Sequence, residues 1–181
     1  MITGKFPALR LRRSRKNDWS RRLVEENNLT ANDFILPIFL IDGKNKKQTI
    51  KSMPGVYRYS LDKISYVIDK AIKNSLPMIA LFPYTETKKK NPLGTEALNE
   101  NNLVCKALKL IKMKYKNEIG IMCDVALDPY TSHGHDGLLK NKYVLNDETI
   151  KILTNQSLLQ AQMGCDVLAL SDMMDGRVGD N

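Results

Sequence analysis

Long apolar runs are missing from this 181-residue chain. No window approaches the roughly 18 consecutive apolar residues of a membrane-spanning helix, so none is expected. Cysteine is scarce and scattered: Cys105, Cys123 and Cys165 never form a C-x-x-C pair. That argues against a disulfide framework or a thiolate zinc site and for a reducing compartment, with a cytoplasmic location expected. No G-x-G-x-x-G and no Walker loop is present, which leaves nucleotide binding without support. Residues 1–22 hold no apolar segment of the signal-peptide kind, so no secretory leader is expected. Only two histidines occur, His133 and His135, two residues apart.

What is there suits a folded soluble domain: 43% apolar and 27% charged residues, in a length that can bury a sizeable core. The net charge of +8 is concentrated at one end. Lys5, Arg10, Arg12, Arg13, Arg15, Lys16, Arg21 and Arg22 face only Asp18 within residues 1–22, and the remainder is close to neutral. A basic stripe on a folded face would be a nucleic-acid footprint. A basic arm on a neutral body is instead expected to lie in water or against a neighbouring subunit. Nucleic-acid binding and an organelle transit segment are the alternatives.

Four near-continuous apolar runs, FILPIFLI (34–41), MIALF (78–82), IGIMCDVAL (119–127) and DVLAL (166–170), read as strands buried on both faces. Helical stripes lie between them. Leu61, Ile64, Val67, Ile68, Ala71 and Ile72 follow Ser60, a good N-cap; Leu103, Val104, Ala107, Leu108 and Ile111 form a second stripe. A third holds Ile150, Leu153, Ser157, Leu158 and Ala161, opened by Asn146-Asp147 and closed by Gly164. Trp19, Leu23 and Val24 predict a short helix ahead of the first strand. Strict strand–helix alternation implies parallel strands, in a doubly wound sheet or in part of an eight-stranded βα barrel. After the fourth strand comes only SDMMDGRVGDN, with no helix to cover it, so the chain looks cut short.

In either architecture, chemistry gathers at the carboxyl ends of the strands. Three polar clusters fall there: PYTETKKKNPLG, DPYTSHGHDG and SDMMDG. Asp124, Asp128, His133, His135 and Asp136 supply enough oxygen and imidazole donors for a divalent metal, as in a barrel-type zinc hydrolase. The two histidines lie beyond Pro129 in a loop, so their rings need not share a direction. A polar loop of turn-capping aspartates is equally open. In the last cluster Ser171 can orient a substrate, Asp172 can pair with a cation, and Asp175-Gly176 reads as a tight turn. Met173 and Met174 read as packing. Lys88, Lys89 and Lys90 read as a solvated, mobile loop without the desolvation a Schiff-base lysine requires.

Five stretches together carry a resemblance: SMPGVYRYS (52–60), NPLGTEALNENNLV (91–104), DVALDPYTSHGHDG (124–137), VLNDETIKIL (144–153) and ALSDMMDGR (169–177). From about Leu9 to Arg177 the chain resembles the porphobilinogen synthase, or δ-aminolevulinic acid dehydratase, family. The resemblance implies an α/β fold, a (β/α)8 TIM barrel. This chain would hold a basic arm over residues 1–30 and roughly the first four βα units, an incomplete barrel domain, over residues 31–181. It implies the condensation of two 5-aminolevulinate molecules to porphobilinogen with loss of two waters, a lyase step of haem biosynthesis. It also implies assembly, commonly as a homo-octamer, through an arm that wraps a neighbour.

The family forms Schiff bases on two lysines of the second half of its barrel, and no lysine here stands in for either. This chain alone is therefore expected to be inactive. Asp124 and Ser171 match positions that line the substrate pocket, the first to assist proton transfer and the second to orient. Zinc-dependent members carry three cysteines where Ala126, Asp128 and Asp136 stand here. Aspartates favour magnesium over zinc, so the resemblance implies the Asp-type branch, with Asp128 and Asp136 as metal-binding candidates. His133 and His135 then become loop residues. Leu170 stands where the family usually has proline. Two other readings stay open: a metal-dependent barrel hydrolase using His133, His135 and Asp124, and a non-catalytic module whose basic arm binds nucleic acid.

Overall fold

The structure, a computed structural model, describes residues 4–180. Residues 1–3 of the expected arm and Asn181 lie outside the described residues. The order is helix α1 (Asp18–Leu23), strands β1 (Ile35–Ile41), β2 (Lys47–Thr49) and β3 (Tyr57–Tyr59), helix α2 (Ile64–Lys73), and strand β4 (Met78–Tyr84). Helix α3 (Leu103–Tyr115), strand β5 (Gly120–Val125), the hairpin of β6 (Leu139–Lys140) and β7 (Tyr143–Val144), helix α4 (Asn146–Gln162), strand β8 (Val167–Leu170) and a last turn α5 (Arg177–Asp180) follow. All four expected strands form within a residue or two of their apolar runs, and the helices between them form as expected. The β2–β3 ribbon and the β6–β7 hairpin carried no apolar run and were not anticipated.

The sheet runs β2-β3-β1-β4-β5-β8. The pairs β1–β4, β4–β5 and β5–β8 are parallel, each strand lying one step beyond the last. A doubly wound sheet would reverse direction and cover both faces. From β1 through β4 and β5 to β8 the order advances in one direction, and the β2–β3 ribbon is added at the other edge of β1. The register aligns Ile38 with Leu81, Leu81 with Cys123, and Cys123 with Leu168, so these side chains share one face. That face packs against Ile64, Ile68 and Ala71 of α2 and Leu103, Val104, Ala107, Leu108 and Ile111 of α3, all buried. Ile150 and Leu153 of α4 continue the core beneath Val125, Leu168 and Leu170. Helices on one face of an advancing parallel sheet are the outer ring of a βα barrel. The opposite face carries Pro37, Phe39, Phe82, Met122, Asp124 and Ala169, none of them buried.

Two local expectations are corrected. Ser60 does not cap α2: a 3-10 turn at Leu61–Lys63 intervenes, and its hydroxyl instead donates to Asp62 Oδ1 (2.7 Å) and accepts from Lys46 N (2.9 Å). In α4 the buried face passes through Gln156, Ser157, Leu159 and Gln160, while Leu158 is 56% exposed and Ala161 is exposed. The periodic stripe placed the helix but misplaced its inner face over the last two turns. Gly164 does close α4, at φ +103°, a left-handed conformation suited to glycine. Within residues 4–30, Phe6, Leu11, Trp19, Leu23 and Leu29 are all exposed, and α1 packs on the short turn before it. No helix among the described residues is long and apolar enough to cross a membrane.

Candidate active site

Strand β5 delivers Asp124 to the open face near its carboxyl end, and β8 delivers Ser171 one residue past its own. The register pairs Asp124 with Ala169, so the next residue of β8 on that face is Ser171. Its hydroxyl donates to Asp124 Oδ1 at 2.5 Å, and its backbone N–H reaches Val125 O at 3.4 Å. Two residues that are 47 apart in sequence thus meet as a carboxylate and its donor. Burial raises the Asp124 carboxyl above the usual aspartate range; the Ser171 hydrogen bond opposes this, and the charge of Asp128 adds to it. A carboxyl that holds its proton more tightly than usual, beside a hydroxyl, suits proton transfer.

Around Asp124 lies a cavity of about 240 Å³, floored by Phe39 and Phe82 and flanked by Arg58, Tyr84, Lys90 and Asp128. The two phenylalanine rings stack with centroids 5.6 Å apart, and the Arg58 guanidinium lies 4.5 Å over the Tyr84 ring. A larger cavity, about 530 Å³, opens between α2 and the β1–β3 edge, but no carboxylate lines it. Asp124 and Asp128 line the smaller one.

The lysine run does not behave as one solvated loop. Lys88 is exposed and pairs with Glu86 (2.7 Å). Lys89 is half-buried, 2.8 Å from Asp42 Oδ2 and 3.9 Å from Glu96, and ties the ends of β1 and β4 together. The hydrogen bond to Asp42 raises its pKa, the opposite of what a Schiff-base lysine needs. Lys90 donates to Asp128 O at 3.4 Å. Lys90 and Arg58 were missed as site residues: Lys90 was read as part of the run, and nothing local marks Arg58.

The histidine pair does not converge. His133 Nε2 stands 3.2 Å from Pro92 O and its Nδ1 accepts from His135 N (3.1 Å). His135 Nδ1 is shared between Gly137 N and Asp136 Oδ1, each 2.9 Å away, and can accept from the first or donate to the second. The rings lie 6.5 Å apart at 55°. Burial raises the Asp128 carboxyl, and the charge of Asp136 adds to this while Lys90 opposes it. The two aspartates bring oxygen donors and no thiolate to this loop. Among the described residues no group of three or more His, Cys, Asp and Glu comes together that could hold a metal ion.

The SDMMDGR segment is locked to the histidine loop. Asp172, fully buried, accepts from Met174 N (2.8 Å) and lies 3.6 Å from Arg177 Nε, the cation that the sequence anticipated without locating. Met174 is buried and Met173 is 76% exposed, so only one of the pair packs. A Cβ on Gly137 would stand 2.7 Å from Val144 Cγ1 and 2.9 Å from Met174 Cε, so only glycine lets the two loops approach this closely. Asn146 at the start of α4 clasps Asp175 through two hydrogen bonds (3.1 and 2.8 Å). Cys123, beside Asp124, points into the core, where the Cys165 thiol and burial push its own thiol far up and leave it inert.

A parallel sheet with helices on one face and polar side chains gathered at its strand ends defines this as part of a βα-barrel protein. A family model described as delta-aminolevulinic acid dehydratase matches residues 8–180. The chain belongs to that family. It is 56% identical over 171 residues to the delta-aminolevulinic acid dehydratase of Bradyrhizobium diazoefficiens, covering 94% of this chain and 48% of that one. It is 44% identical over 174 residues to the enzyme of the same name from Methanothermus sociabilis, covering 96% and 53%. The backbone also matches the crystal structure of delta-aminolevulinic acid dehydratase (porphobilinogen synthase) from Toxoplasma gondii ME49 in complex with the reaction product porphobilinogen. That match has a TM-score of 0.88 at 35% identity over 94% of this chain and 48% of that one. The chain spans about half the length of these relatives.

Proposed function

We propose that this chain supplies the first half of a porphobilinogen synthase, in which two 5-aminolevulinate molecules condense to porphobilinogen with loss of two waters. The observation that carries the reading is the Asp124–Ser171 pair on the open face of a half-barrel in this family. Asp124 takes up or returns protons at the reacting amine or the carbon beside the carbonyl, helped by its raised affinity for a proton. Ser171 holds that carboxyl and presents its own oxygen to the substrate. Phe39 and Phe82 exclude water from one side. The Schiff-base lysines belong to the other half, and Lys89 is held charged by Asp42.

Residues 1–30 act as an assembly arm and residues 31–181 as barrel. The exposed Leu11, Trp19 and Leu23 between arginines favour a protein neighbour, in a homo-octamer, over nucleic acid. The stimulating ion is magnesium rather than zinc, since Ala126, Asp128 and Asp136 offer oxygen and no sulfur. These residues do not complete a site for it, and no step is assigned to it. The compartment is the cytoplasm, as three free cysteines suggest.

Joining residues 1–181 to the second half of the Bradyrhizobium diazoefficiens relative gives the test. Porphobilinogen should form from 5-aminolevulinate in the joined barrel, not with the present chain alone, and Asp124→Asn should abolish it. Turnover by the present chain, or a borohydride-trapped substrate adduct on one of its lysines, would overturn the reading. Deleting residues 1–30 should shrink the assembly without changing affinity for nucleic acid.

A further inference from the structure

The carboxyl end of β5 has an unusual way of satisfying its backbone. Its pairing with β4 ends at Cys123, opposite Leu81. Beyond that point the Asp124 carbonyl accepts from Gln160 Nε2 at 3.0 Å, and the Ala126 carbonyl accepts from Gln156 Nε2 at 3.2 Å. The carbonyl between them, on Val125, takes the Ser171 N–H. Gln156 and Gln160 stand four apart on α4, 0% and 3% exposed, in line with the core residues Ile150 and Leu153. Among the described residues neither Oε1 has a hydrogen-bond partner. A buried acceptor left unpaired is costly, and methionine would fill the same space without it. The amide donors must therefore supply something that an apolar side chain would not.

From this we infer that Gln160 and Gln156 are positioning residues for Asp124. They fix the peptide planes at Asp124 and Ala126, so the Asp124 side chain leaves the strand in the one direction that meets the Ser171 hydroxyl. Helix, strand and neighbouring strand then hold the carboxyl at three points: its own carbonyl, the carbonyl two residues on, and its Oδ1. The inference rests on the reading of Asp124 as the proton-transfer group, but its structural half stands without that reading.

The test compares Gln160→Met with Gln162→Met, which alters the exposed side of the same helix. In the 181-residue chain, carbon-13 NMR should show the Asp124 carboxyl resonance displaced in Gln160→Met as it is in Ser171→Ala, with the Asp69 carboxyl and all of Gln162→Met unmoved. In the joined barrel, Gln160→Met should lower kcat about tenfold while KM stays within twofold. Gln156→Met carries the same expectations and replaces Gln160→Met if that variant does not fold. A lowered melting temperature with the Asp124 resonance and kcat unchanged would reduce both glutamines to packing and overturn the inference. Full activity in Asp124→Asn would refute the proton-transfer role instead, leaving the resonance result intact.

Discussion

Replacing Asp172 by alanine tests whether the buried acid of SDMMDGR is a structural anchor and not a reacting group. Its side chain is completely shielded from solvent, one oxygen capping Met174 N at 2.8 Å and the other lying 3.6 Å from Arg177 Nε. Alanine leaves the Met174 N–H orphaned in a buried turn, a loss of about 1–3 kcal/mol. It also removes an attraction worth about 4–5 kcal/mol at the observed separation for an effective dielectric near 20. Most of that attraction is offset by the cost of burying the acid, which the alanine variant avoids, and the Arg177 side chain is one-third exposed and keeps the Met174 carbonyl (2.9 Å), so about 1 kcal/mol remains. The total is about 3 kcal/mol. Asparagine keeps the capping oxygen and loses only the charge, for about 1 kcal/mol. Urea unfolding followed by circular dichroism measures both. Equal losses in the two variants, or a loss below about 1 kcal/mol for alanine, would refute the reasoning.

Asp124→Asn should stabilise the fold at neutral pH. The folded carboxyl binds its proton more tightly than the unfolded one, so its ionisation costs stability above the ordinary aspartate range, and the gain should vanish as pH falls below that range. Urea midpoints at neutral and acid pH check this. Gly137→Ala should cost about 1–3 kcal/mol by forcing Val144 and Met174 aside, whereas space is open at Gly134, where alanine pays only for the left-handed backbone, about 1 kcal/mol. Thermal melts of the pair separate the two causes. Lys89→Met should cost about 1 kcal/mol and Lys88→Met less than about 0.5. Because the Lys89 pKa is raised in the fold, its contribution holds below the ordinary lysine range and fades as pH climbs through the raised value. Unfolding at neutral and strongly alkaline pH should show the gap closing.

The residue pattern by itself determined the alternation of four strands and three helices, since apolar runs and 3.6-residue stripes are local properties of the chain. It also placed three polar clusters at the strand ends, singled out Asp124 and Ser171 as candidates through a specific set of motifs, and showed that Ala126, Asp128 and Asp136 bring no sulfur. Local pattern could not choose between a doubly wound sheet and a barrel, because both are built from the same βα unit. The advancing strand order and the single helix-covered face made that choice. Nor could it separate Lys88, Lys89 and Lys90, whose surroundings are set by Asp42 just past another strand and Asp128 on another loop. The stripe of α4 misled at Leu158 and Ala161 because the strand end beneath that turn needs amide donors rather than apolar cover. Only the parallel register of β5 and β8 brings Ser171 onto Asp124, a contact between residues 47 apart that depends on strand pairing and leaves no local trace.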